Sequence, residues 1–99
     1  MTVLGSAAQG ITGGDGNDEF SIFSAQAGVV SGNAGIDTFN LLADAQTDIE
    51  GNDGNDVFII SASQTASLLG GNNDDQFTVS GAGLSANVDG GEGLSLIHI

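Results

Sequence analysis

Apolar positions recur along this chain in two interleaved patterns. Phe20 and Ile22, Phe39 and Leu41, Phe58 and Ile60, and Phe77 and Val79 are each separated by one residue, the period of a strand that turns one face inward. These four of the five phenylalanines follow one another at intervals of 19 residues. A second apolar position follows each Phe by ten residues, at Val30, Ile49 and Leu68, and reappears after a one-residue slip at Val88. Between these positions stand near copies of one polar block: GGDGNDEF at 13–20, GNAGIDTF at 32–39, GNDGNDVF at 51–58 and GGNNDDQF at 70–77. Self-similarity at a period near 20 residues marks a solenoid, in which each repeat is one coil stacked on the next. The predicted fold is all-β: a right-handed parallel β-solenoid of the β-roll kind, with about five stacked 19-residue coils of two short strands each.

Each repeat reads as a turn, a short strand, a return loop and a second short strand. Gly and Asn in the block supply the positive φ of a sharp reversal, and Asx side chains bond nearby backbone groups. Stacking at ~4.8 Å then makes three inward ladders, one of Phe and two aliphatic. Burying each such side chain is worth ~1.5–3 kcal/mol, against ~1–2 kcal/mol of backbone entropy per ordered residue. One coil cannot stand alone. In the return loops Gln26, Gln46 and Gln64 recur slightly out of register and read as turn-packing residues. A short helix over 61–69 is the alternative there.

Both ends read as cut. Counting back one period places Met1, Val3 and Ile11 inside a preceding coil, so residues 1–93 are expected to be a piece of a longer array. A fifth block begins at Gly90-Gly91-Glu92-Gly93 and then gives way to LSLIHI at 94–99. That tail resembles a translated sequencing adapter, which implies that it is not native and that His98, the only histidine, marks no site. The other reading is a short closing strand with Leu96 or Ile97 in the Phe position.

Charge narrows the partners. Thirteen acidic side chains face no Lys or Arg, a formal charge of -13, so nucleic acid and anionic lipid are repelled. The longest apolar runs are far short of the ~18 residues of a membrane span, so no direct membrane insertion is expected. Without cysteine there is no disulfide or thiolate site. The expected counterpart is a cation. Asp18, Asp37, Asp56 and Asp75 close their blocks at the same period, so stacking lines them along one edge, with Asp15, Asp53, Asp74 and Glu92 beside them. Two unit charges ~5 Å apart repel by ~0.8 kcal/mol in water and ~3 kcal/mol at an effective dielectric of 20. Either the edge stays solvated at a cost to stability, or a bound cation converts repulsion into attraction. Calcium suits it, taking six to eight oxygens in flexible geometry from carboxylates and carbonyls, whereas zinc wants His or Cys.

On these residues the blocks resemble the haemolysin-type (RTX) calcium-binding nonapeptide GGxGxDxUx. The resemblance implies a six-residue calcium-binding turn followed by a three-residue strand, with calcium held between successive turns by the Asp and by turn carbonyls. Carried over, the ligand set is Asp18, Asp37, Asp56 and Asp75, with Asp15 and Asp53, and the turn glycines Gly13, Gly16, Gly32, Gly35, Gly51, Gly54 and Gly70. Residues 32–37 depart from the pattern at Asn33 and Ile36, and residues 70–75 at Asn73. The family runs two nonapeptides per coil, whereas here one block occurs per 19 residues, so calcium would decorate one edge only.

The expected function is a calcium-binding β-roll segment of a secreted or cell-surface bacterial protein, folding on calcium and serving as a structural or adhesive module beside neighbouring repeats. A calcium-binding appendage of a secreted protease, lipase or epimerase is one alternative, and a metal-free structural solenoid another. Catalysis is not expected, because the carboxylates form a repeating ladder rather than a unique cleft. Ice binding is disfavoured because no outward Thr column repeats.

Overall fold

In a computed structural model the described residues are 10–62, 67–79, 88–93 and, as backbone, 96–98. The expectations for Met1, Val3, Gln64, the return loop 80–87 and the His98 side chain lie outside them. Ten strands follow one another: β1 (Ile11–Thr12), β2 (Glu19–Ile22), β3 (Val30–Ser31), β4 (Thr38–Leu41), β5 (Ile49–Glu50), β6 (Val57–Ile60), β7 (Leu68–Leu69), β8 (Gln76–Val79), β9 (Val88–Asp89) and β10 (Leu96–His98). Odd strands form one parallel sheet, β1-β3-β5-β7-β9, and even strands the other, β10-β8-β6-β4-β2. Every strand thus pairs with the equivalent strand one coil away. The chain is a β-solenoid, with no helix among the described residues, and Leu68–Leu69 are strand rather than helix. It makes about four turns rather than the five coils expected, because the outermost strands bound incomplete circuits.

Register follows the apolar pattern. Phe20 pairs with Phe39, Phe39 with Phe58 and Phe58 with Phe77. Their rings stack face to face at 4.8, 4.7 and 4.5 Å between centroids, tilted by 7°, 14° and 12°. Beside them Ile22, Leu41, Ile60 and Val79 form the second buried ladder. Val30, Ile49 and Leu68 form the third from the facing sheet, with Val88 packed at its end. The slip before Val88 leaves the register intact, since Leu68 still pairs with Val88. Stacked rings add ~0.5–1.5 kcal/mol each beyond their burial, which makes the Phe ladder the strongest apolar contribution.

Strand β10 lies parallel to β8 with Ile97 opposite Phe77. Of the two residues the closing-strand reading offered for the Phe position, Leu96 and Ile97, it is Ile97 that takes it, and pairing has no bearing on where residues 94–99 come from.

The return loops differ from expectation at the glutamines. Gln26 is buried, and its backbone N–H donates to the Ala45 carbonyl at 2.8 Å, so Ala45 and not Gln46 is its partner one coil on. Gln46 is exposed and left-handed, with φ 58°. The Asp44 carboxylate accepts its N–H at 3.0 Å and holds that turn. A side chain with a Cβ pays ~1–2 kcal/mol for this backbone, while glycine loses part of that advantage through its unfolded-state freedom. Gln46→Gly is therefore expected to raise unfolding free energy by ~0.5–1 kcal/mol, read as a higher urea midpoint at unchanged slope.

Candidate metal centre

The polar block makes its turn with two left-handed residues. Its second position holds Gly14, Asn33, Asn52 and Gly71 at φ 92°, 70°, 72° and 91°, and its fourth holds Gly16, Gly35, Gly54 and Asn73 at φ 97°, 101°, 109° and 74°. Only glycine and asparagine occupy these places, and those types tolerate this backbone best. Asn33 and Asn73, departures from the nonapeptide in sequence, are thus conformational equivalents of the glycines they replace.

Glycine at the first position has a different cause. Gly32, Gly51 and Gly70 do not have positive φ, yet a Cβ built on each would collide with Oδ2 of the Asp five residues later and lie 2.7, 2.8 and 2.8 Å from its Cγ. Gly13 stands in the same relation to Asp18, with Cγ at 3.0 Å. The block-closing carboxylate folds back beneath its own turn and occupies the space a side chain would need.

The carboxylates are therefore inside. Asp37, Asp56 and Asp75 are 0%, 1% and 2% exposed, and Asp18 is half-buried. The solvated acidic edge considered from the sequence does not describe them. The carboxylates of Asp37, Asp56 and Asp75 reach the preceding coil: Asp37 Oδ1 accepts the Asp18 N–H, Asp56 Oδ1 the Asp37 N–H and Asp75 Oδ1 the Asp56 N–H, all at 2.9 Å. In the opposite direction the Asp18, Asp37 and Asp56 carbonyls accept from Thr38, Val57 and Gln76 at 2.9, 2.8 and 2.9 Å. The second carboxylate oxygen, Oδ2, of Asp37, Asp56 and Asp75 is buried and receives no hydrogen bond among the described residues. Beside Gly51 it converges with a second acceptor, because the Gly70 carbonyl oxygen lies 2.8 Å from the same built Cβ. Two oxygens thus face the same space beside Gly51, and Asp56 Oδ2 receives no hydrogen bond there. Among the described residues no three acidic or imidazole groups come together, so an ion here would be held by one carboxylate per coil and by main-chain oxygens.

Asp15 and Asp53 lie elsewhere on the turn. Both are exposed at its outer tip, and Asp53 Oδ1 accepts from Asn72 Nδ2 at 2.8 Å. Gly16, Gly35 and Gly54 stack at the tip, where a Cβ on Gly35 or Gly54 would strike the carbonyl of Gly16 or Gly35. Sequence reasoning missed the asparagine clasps. Asn17 Oδ1 accepts the Ile36 N–H at 2.8 Å, Asn55 Oδ1 the Asp74 N–H at 2.9 Å and Asn73 Oδ1 the Gly54 N–H at 3.0 Å, each joining adjacent coils. The signal was the Asn preceding the Asp in two blocks, whose side chain reaches a full period.

Burial raises the pKa of Asp37, Asp56 and Asp75. Asp56 is pushed up to about 7, chiefly by desolvation and then by the charges of Asp75, Asp37 and Asp53, against the lowering effect of the Asp37 N–H. Desolvation also raises Asp37 and Asp75, opposed by the N–H bonds each accepts. Compared with protein-family models, curated proteins and solved structures, the chain matches none.

A carboxyl whose folded pKa exceeds its unfolded value holds its proton more tightly in the fold. Stability is then fully present below the ordinary value of 3.8 and is lost as pH rises through about 7. In chelator, the β signal is expected to be larger at pH 5 than at pH 8. A flat or rising profile between those values would show that the Asp56 carboxylate is not desolvated.

Proposed function

We propose that this chain is a calcium-dependent β-roll segment, a repeat module of a secreted or cell-surface protein that folds when calcium occupies the turns along one edge. The observation that carries the reading is the row of buried Oδ2 atoms of Asp37, Asp56 and Asp75 without donors, in a chain with no Lys or Arg. An uncompensated buried carboxylate costs several kcal/mol, and an oxygen-seeking cation removes that cost. Asp37, Asp56 and Asp75 would hold the ions through Oδ2, with carbonyls of the surrounding glycine turns completing the shell. The ion would supply charge neutralisation and a cross-link between coils.

The donor set suits calcium among common cations. It is all oxygen and mixes carboxylate with carbonyl, in a turn whose geometry is set by backbone rather than by a rigid cage. Folding is then linked to calcium by mass action, because the ion binds the stacked coils and not the separated chain. Extracellular modules of this kind work at ~10⁻⁴–10⁻³ M calcium, where the chain would be folded, whereas scarce calcium would leave it loose. The likeness of the blocks to the RTX nonapeptide supports the same reading, and export is part of the proposal on that ground.

Far-UV circular dichroism of the chain, titrated with calcium and separately with magnesium at matched ionic strength, tests it. A coil-to-β transition is expected with calcium at ~10⁻⁴–10⁻³ M and not with equal magnesium. Equal responses would mean charge screening. A β spectrum already complete in chelator and indifferent to calcium would establish a metal-free structural solenoid instead.

Asp56→Asn separates the cost of the charge from its use. An amide cannot ionise, so in chelator at pH 8 the variant should be more stable than the parent by ~1–3 kcal/mol. Its gain on adding calcium should be smaller, read as a smaller rise in β signal between chelator and saturating calcium.

A further inference from the structure

The outer tips of the turns hold two copies of one tetrapeptide in different surroundings. Asp15-Gly16-Asn17-Asp18 and Asp53-Gly54-Asn55-Asp56 are identical. Asp15 and Asp53 are both exposed, and Gly16 and Gly54 are both left-handed at φ 97° and 109°. What differs is the next coil. Over the second copy, Asn73 Oδ1 accepts the Gly54 N–H at 3.0 Å and Asn72 Nδ2 donates to Asp53 Oδ1 at 2.8 Å. Over the first copy those two positions are Ala34 and Gly35, which have no polar side-chain atom. Among the described residues no hydrogen bond is made to the Gly16 N–H or the Asp15 carboxylate.

We infer that Asp15-Gly16 is a site of spontaneous backbone isomerisation, and that the same dipeptide at Asp53-Gly54 is protected by Asn72 and Asn73. The reaction begins when the Gly16 amide nitrogen attacks Asp15 Cγ. A carbon–nitrogen bond forms, a carbon–oxygen bond of the protonated carboxyl breaks, and the departing oxygen leaves as water with the carboxyl and amide protons. Water then adds to the main-chain carbonyl of the resulting five-membered imide and reopens it. The product is a β-linked aspartate of unchanged composition, with one extra atom in the main chain at the tip. Glycine favours the attack because its nitrogen has no neighbouring Cβ to shield it.

At the second copy both reacting groups are tethered. The Asp53 carboxylate is held toward Asn72 and the Gly54 N–H toward Asn73, so both bonds must break before Cγ and nitrogen can meet. A third such pair, Asp89-Gly90, has its carboxylate occupied by the Gly91 N–H at 2.8 Å. At Asp53-Gly54 the protection comes from the neighbouring coil and is absent from the dipeptide itself.

The test is to age the full chain in calcium at neutral pH, cleave it after glutamate, and locate β-aspartate by electron-transfer fragmentation. Glu19, Glu50 and Glu92 place Asp15 and Asp53 in separate fragments. β-Aspartate is expected at Asp15 roughly tenfold faster than at Asp53, equivalent to about 1.4 kcal/mol of barrier. In concentrated urea the two sites should react alike, and unequal rates there would overturn the assignment to the fold. The double variant Asn72→Ala, Asn73→Gly gives the second copy the neighbours of the first and should bring its rate up to that of Asp15. Equal rates in the folded parent, or a folded double variant with no acceleration, would refute the inference. A variant that fails to fold is recognised by loss of its β spectrum, and the parent comparison then decides alone.

Discussion

Asp37, Asp56 and Asp75 each turn a carboxylate into the interior of a chain that has no lysine or arginine to meet it. One oxygen of each is committed to the backbone N–H of the preceding coil, which fixes the stacking of the turns. The other has no donor. The same side chain is thus the best-placed link between coils and the largest electrostatic cost of forming them. Removing it would free the N–H it satisfies, and retaining it as an anion demands a positive charge or a proton. The rest of the block is arranged around that requirement.

The first-position glycine shows this most directly. A left-handed φ would have been reason enough for a glycine, but Gly32, Gly51 and Gly70 are glycine because the carboxylate fills the volume of their missing side chain. The second and fourth positions are left-handed and accept asparagine as well. Turn shape is therefore tolerant of substitution, whereas carboxylate accommodation is not. This explains why the four blocks vary at their second to fifth positions yet keep the same first and sixth.

Fold and periodicity were legible because they rest on spacing alone. Phe20, Phe39, Phe58 and Phe77 share one register, and a strand period of two then places Ile22, Leu41, Ile60 and Val79 on the same face without further information. The candidate site was half legible. Spacing identified the aspartate ladder, but it could not show whether the carboxylates point outward or fold beneath the turn, since either direction preserves the period. Gln26 and Gln46 misled for the related reason that near repetition is not register. The Gln26 N–H donates to the Ala45 carbonyl, while Gln46 is exposed on a left-handed backbone. The Asn17 and Asn55 clasps were hidden because an Asx residue beside a glycine reads as local turn chemistry, and their partners lie a full coil away.

The two edges of the solenoid are consequently built on different principles. On the block edge every coil repeats the same turn and carries the same buried oxygen, so any cation that stabilises one junction finds the next already shaped for it. On the return edge the loops vary in composition, and at Gln46 the backbone is held left-handed by a local carboxylate. Variation gathers where coils need only to connect. Repetition is retained where each coil must present an N–H to one neighbour and a carboxylate to the other, so the acidic edge joins the apolar core in holding successive coils in register.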